Sequence, residues 1–208
     1  MVKNKELSTE TEDRILIAAR KVFIAKGMEG ARMQEIADEA QINKALLHYY
    51  FRSKELLFEK VFIEAVQNAF PSIAEFIIAD RPFWDKIEFF IDRYLSLIQE
   101  NPIIPAFIMQ EMNRDPENLV QILKGNSINF KDIATVIKQD IDKEGATLIP
   151  ISPEHFIVNL IALCVFPFVA APMIKYNLFN GDSERFNQML AERKKVVIMF
   201  VKSAMKKH

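Results

Sequence analysis

The segment NKALLHYYFRSKELL, residues 43–57, decides how this chain is read. His48, Tyr49, Tyr50 and Phe51 stand side by side among Lys44, Arg52 and Lys54, and positions 41–54 hold no acid. Asn43 is a favourable N-cap, so a helix is predicted to begin at Lys44. On such a helix Leu47 and Phe51, four residues apart, share one side and turn to a core. Lys44, Ala45, Leu46, His48 and Tyr49 are left facing outward.

Working toward the N-terminus, Thr9-Glu10-Thr11-Glu12 fits a capping box. Ile15, Ala18, Ala19, Val22 and Phe23 follow on one helical face, and Gly27 offers a left-handed stop, which predicts a helix over 9–26. A shorter helix is predicted over 33–40, burying Met33, Ile36, Ala37 and Ala40, with only Gln41-Ile42 before Asn43. Two short helices joined so tightly suggest a helix-turn-helix, whose second helix enters the major groove of DNA. The outward residues suit that surface. Lys44 neutralises phosphate, Ala45 permits close approach, His48 and Tyr49 donate to phosphate oxygens, and Leu46 can meet a thymine methyl. Lys54 adds charge at a helix start, where the dipole also favours phosphate.

The rest of the chain reads as helical. Apolar spacing of three and four recurs, and clear period-two alternation is lacking. Ser53 caps a predicted helix over 54–78, and further helices are expected near 82–99, 102–112, 116–143, 153–177 and 183–206. The expected fold is therefore all-α, with about nine helices. A three-helix DNA-binding domain (1–53) would precede a larger helical domain (54–208). The net charge of −1 does not advertise nucleic acid, so that reading rests on local pattern alone. Cys164 is the only cysteine, which excludes an intramolecular disulfide. With no phosphate loop, nucleotide fingerprint or metal-ligand spacing, no catalytic residue, metal or cofactor is expected, and the chain is not read as an enzyme. The N-terminal residues MVKNKELSTETEDR lack an apolar signal core, so a cytoplasmic location is expected.

EDRILIAARKVFIAKG followed by MQEIADEAQINKALLHYYFRSKELLF resembles the DNA-binding domain of TetR/AcrR-type transcriptional regulators over about residues 9–62. The resemblance implies a ligand-responsive repressor that binds a palindromic double-stranded operator as a homodimer. The DNA-facing set is then Arg32, Gln34, Lys44, Ala45, Leu46, His48, Tyr49, Tyr50 and Lys54. Four departures stand out. Gln41 replaces the usual turn glycine, Ala31-Arg32 stands where a hydroxyl residue commonly caps the second helix, His48 replaces a common tyrosine, and Leu46 stands where a small polar residue is frequent.

The resemblance further implies dimerisation through helices 153–177 and 183–206, and a cavity among the middle helices. Abundant Phe and Met favour a small hydrophobic effector. Phe89, Phe90, Tyr94, Phe107, Gln110, Glu111, Asn159 and Phe166 are the candidate pocket residues. The run 156–174 has nineteen uncharged residues, near the length of a membrane span. Asn159, Pro167 and Pro172 argue against stable insertion and for a buried helix kinked near Pro167. A helical protein-protein adaptor, or a membrane-associated helical protein, is the competing reading.

Overall fold

The computed structural model describes residues 2–125 and 128–207, with side chains from residue 9 onward except those of Ala69 and Ala146. The described residues form eleven α-helices: α1 (Val2–Gly30), α2 (Met33–Glu39), α3 (Lys44–Tyr50), α4 (Lys54–Ile78), α5 (Phe83–Glu100), α6 (Ile103–Arg114), α7 (Pro116–Gly125), α8 (Phe130–Glu144), α9 (Pro153–Val169), α10 (Ala171–Phe179) and α11 (Ser183–Met205). A 3-10 turn spans Gly145–Thr147. Extended pairing among the described residues is confined to the contact of Leu148 with Lys206.

Three boundaries differ from expectation. Helix α1 is already under way at Val2, because no proline or glycine precedes Thr9, and the capping-box residues lie inside it. At Gly27 the backbone turns to φ 69°, ψ 173°, a conformation open to glycine, so the expected break is there. The segment 116–143 is two helices: α7 ends at Gly125, and Asn129 caps α8 by accepting from the Lys131 amide at 3.1 Å. Between them, Asn126 and Ser127 lie outside the described residues. The predicted helix 153–177 is also divided, with α9 and α10 meeting at 73° around Ala170. Pro172 has no amide to continue the ladder from the Phe168 carbonyl, which instead accepts from Ala170.

The chain forms two compact units. Residues 1–68 and 101–119 make one, and residues 69–100 and 120–208 the other. In the first, Ile15, Ala19 and Phe23 of α1 are buried with Ile36 and Ala37 of α2, Leu47 of α3, Phe58 and Phe62 of α4 and Phe107 of α6. Phe23 meets Phe58 edge to face at 4.9 Å, and Phe62 stacks on Phe107 at 4.0 Å. Such aromatic pairs add to the burial of apolar area that holds small helices in place. Ion pairs from Arg20 to Glu64 (3.1 Å) and Lys60 to Glu12 (3.9 Å) join α1 to the first part of α4.

The second unit is built around α5. Phe83, Ile87, Ile91, Tyr94, Leu95 and Ile98 pack with Ile137 of α8, Phe156, Leu160 and Cys164 of α9, and Val197, Val201 and Met205 of α11. Burial pushes the Tyr94 hydroxyl well above its usual range, with neighbouring Cys164 adding to the rise. The Cys164 thiol is pushed up to about 12, again by burial. A buried ion pair lies inside this unit: Lys86 Nζ meets Asp140 Oδ2 at 2.7 Å, the two residues being 2% and 6% exposed.

Candidate nucleic-acid interface

Helix α3 is short, and its start is fixed by a side chain. Asn43 Oδ1 accepts from the Leu46 amide at 2.7 Å, satisfying an otherwise orphaned donor. Leu47 is fully buried and Phe51 nearly so, which anchors one side of the helix. Lys44, Ala45, Leu46, His48 and Tyr49 are exposed, Tyr49 to 81%, and Tyr50 is half-buried. Tyr49 and Tyr50 meet edge to face at 5.5 Å. A tyrosine so exposed on a fixed helix carries apolar area with nothing of its own chain to cover it. Among the described residues no carboxylate pairs with Lys44, or with Arg52, which sequence reasoning left out of the site. The signal that marks Arg52 is its place in the acid-free stretch 41–54.

The turn that sets α3 against α2 is a Schellman motif. Gln41 N donates to the Asp38 carbonyl at 3.1 Å and Ile42 N to the Ala37 carbonyl at 3.0 Å. Its closing residue must be left-handed, and Gln41 sits at φ 55°. The strain foreseen for a non-glycine residue there is thus present. At the other end of α2, Arg32 is exposed and extended at the N-cap. Glu35, three residues on, stands in the first turn of α2, where the Arg32 backbone helps to lower its pKa. Lys26 donates to the Glu35 carboxylate at 2.8 Å, and that bond leads in holding its pKa below the usual carboxylate value. Gln34 is exposed but occupied, its amide donating to Asp38 at 2.8 Å.

Lys54 has a structural task. Its ammonium donates to the carbonyls of Ala31 (3.2 Å) and Glu29 (3.4 Å), at the end of α1. The ammonium has three donors, so two such bonds leave one for a phosphate. Ser53 caps the same helix start, accepting from the Leu56 amide at 3.2 Å.

The candidate pocket residues are placed differently from one another. Phe107, Gln110 and Glu111 belong to the first unit; there Phe107 is core and the buried Glu111 carboxylate pairs with Arg114 at 2.7 Å. In the second unit Phe89 stacks on Phe76 at 3.8 Å and Phe90 on Tyr94 at 5.2 Å. Asn159 and Phe166 line an open groove of about 620 Å³ between α9 and α11, walled by Ile151, Leu163, Phe200 and Ala204 among others. Phe166 is 54% exposed, and Val158, Met199 and Phe200 are exposed on the same two helices.

A buried-backed helix, a short turn and a second helix whose exposed basic side chains have no paired carboxylate among the described residues make a helix-turn-helix. Residues 15–61 match the model of the bacterial regulatory proteins of the tetR family. The chain is 26% identical over 199 residues to a probable HTH-type transcriptional regulator, YttP, of Bacillus subtilis, covering 94% of this chain and 95% of that one. It is 25% identical over 185 residues to the negative regulator IcaR of the biofilm operon icaADBC in Staphylococcus epidermidis, covering 86% and 94%. The crystal structure of HlyIIR, a hemolysin II transcriptional regulator, superposes with a TM-score of 0.64 at 25% identity, covering 96% of this chain and 99% of that one. Residues 15–61 thus carry a tetR-family DNA-binding domain, and over nearly its whole length the chain is similar to HTH-type transcriptional regulators.

Proposed function

We propose that the protein is a repressor that binds a palindromic operator as a homodimer and is released by a small hydrophobic effector. The observation that carries the reading is the outward face of α3, where Lys44, Ala45, Leu46, His48 and Tyr49 are exposed on a helix anchored by Leu47. Residues 1–53 would hold the DNA and residues 54–208 the effector and the second subunit, in the cytoplasm. Arg32, Gln34, Tyr50 and Lys54 complete the contact set, with Arg52 added. Gln34 would have to leave Asp38 to reach DNA.

One helix-turn-helix covers few base pairs, so a dyad-related pair is needed for typical specific affinity. The groove between α9 and α11 supports a second copy as its occupant. It is open and almost wholly apolar, and two helices of one chain facing two of another would cover Val158, Phe166, Met199 and Phe200. Repression, in place of activation, is supported by the negative regulator among the relatives. An effector acts only by favouring one arrangement over another. The helix α4, which begins at the DNA-binding end with Ser53 and Lys54 and runs to Ile78, is the natural element for it to move.

Selection from random duplex DNA with the purified protein tests this. An enriched inverted repeat, with half-sites about one helical turn apart or slightly more, supports it. A stable dimer that enriches nothing, with or without added hydrophobic compounds, would leave the helical half as the seat of function.

A further inference from the structure

In the interior of an α-helix each carbonyl accepts from the amide four residues on. The Leu163 carbonyl of α9 has no such donor, because position 167 is proline. The bond is replaced from another helix: Arg193 of α11 donates to Leu163 O twice, from Nε at 3.1 Å and from Nη2 at 2.7 Å. A carbonyl oxygen has two lone pairs, and the planar guanidinium fork can fill both from one side. Pro167 is buried and Arg193 half-buried, and among the described residues no carboxylate pairs with Arg193. A permanent charge is thus held part way out of water beside the one carbonyl in that turn that a proline has set free.

We propose that Pro167 and Arg193 are a single positioning joint that fixes α9 on α11 and so shapes the face on which a second copy docks; this rests on the dimer reading given above. Three features of the joint bear on that face. Leu163 and Arg193 both line the apolar groove, so the bond is part of its wall. Phe166, exposed in that groove, immediately precedes Pro167, so a shift of the turn re-aims it. Lys194, next to Arg193, pairs with Asp92 of α5 at 2.5 Å, so successive residues of α11 hold two different helices. A proline that merely bent α9 would not need a guanidinium opposite, and an arginine that merely solvated the surface would not turn two donors onto a backbone oxygen.

The joint predicts an interaction between two substitutions on different helices. In Arg193→Met the Leu163 carbonyl loses its donors. In Pro167→Ala it regains an intrahelical amide, and Arg193 becomes dispensable. The dimer dissociation constant, measured by sedimentation equilibrium on the full chain, should rise about tenfold or more for Arg193→Met alone, and less than about threefold when Pro167→Ala is already present. Arg193→Lys, a single point donor in place of the fork, should recover only part of the loss. Should Arg193→Met fail to fold, the same cycle is run with Arg193→Lys. Equal losses in the proline and alanine backgrounds would overturn the joint, as would full rescue by lysine. If the wild-type chain proves monomeric at every concentration, the dimer reading is what has failed. The cycle of urea midpoints then decides the joint by itself, with non-additivity supporting it and additivity overturning it.

Discussion

Helices α3 and α9 both present aromatic side chains to solvent, but their surroundings differ. Tyr49 shares its helix and the turn after it with exposed Lys44, His48 and Arg52, and Leu47 anchors the helix from behind. Around Phe166 stand Leu163, Phe200 and Ala204, with Arg193 turned onto a backbone carbonyl. An exposed ring beside basic side chains that no described carboxylate pairs with suits a polyanion, to which tyrosine offers both a hydroxyl and a flat apolar body. An exposed ring among aliphatic neighbours suits another apolar face. Identical residue types therefore point to different partners, and the charge left unpaired near the ring is what separates them.

The handling of charge sharpens the contrast and supplies the largest expected effect. In the second unit a charge pair is folded inside: Lys86 and Asp140 pin α5 to α8 at 2.7 Å in the core. Asp140→Ala should destabilise the protein by ~3–5 kcal/mol in urea unfolding, since it leaves an ammonium buried without a partner. The double substitution Lys86→Met/Asp140→Leu should recover most of that loss. A cost below about 1 kcal/mol for the single change would mean that water reaches the pair, and the contrast between buried and displayed charge would go.

Within α3 the two sides should respond in opposite ways. Leu47→Ala removes a fully buried side chain and should cost ~2–5 kcal/mol of stability. Tyr49→Ala should leave the urea midpoint almost unmoved, because the ring touches little besides Tyr50, yet lower operator affinity by about tenfold. If Tyr49→Ala instead lowered stability and spared affinity, the ring would be packing and the DNA assignment would fall.

Lys54 lies between these cases, since its ammonium serves the fold and is placed to serve DNA. Lys54→Ala should cost ~1 kcal/mol through the lost carbonyl bonds. It should also weaken binding evenly across operator sequences and reduce the salt slope by about one, while the dimer stays intact. An unchanged slope with the stability loss retained would make Lys54 a clamp for the end of α1 and nothing more.

Which of these features could be read from sequence follows from what each depends on. The face of α3 was legible because cap, spacing and the absence of acid act within one turn, and Leu47 and Phe51 are buried as their spacing requires. The break at Ala170 was not, because the run 156–174 is uncharged and Asn159, near its start, does nothing to mark an end at 170. The kink was expected at Pro167, but Arg193 supplies from α11 the bonds that keep that turn helical, and a donor thirty residues away is invisible to local pattern. The start expected at Thr9 rested on a local capping pattern, whereas α1 runs back to Val2 and leaves those residues inside it. For the pocket residues, identity was uninformative. Glu111 reads as a polar anchor until Arg114 is seen to neutralise it.

The smallest predicted change tests the one place where local chemistry and fold disagree. The Schellman turn between α2 and α3 requires a left-handed residue, and Gln41 supplies it at φ 55° against a steric cost of ~1–2 kcal/mol for an L-residue with a Cβ. Gln41→Gly removes that cost but lets the unfolded chain explore more states, which offsets ~0.5–1 kcal/mol of the gain. The balance should be a stabilisation of at most ~1 kcal/mol, read as a higher urea midpoint at unchanged slope. Operator affinity should change little, because the turn already holds the geometry that glycine would favour. A clear loss of stability would show that the Gln41 side chain makes a compensating contact. A gain in stability accompanied by weaker binding would mean that the strained turn tunes the seating of α3 in the groove, tying the disagreement to function.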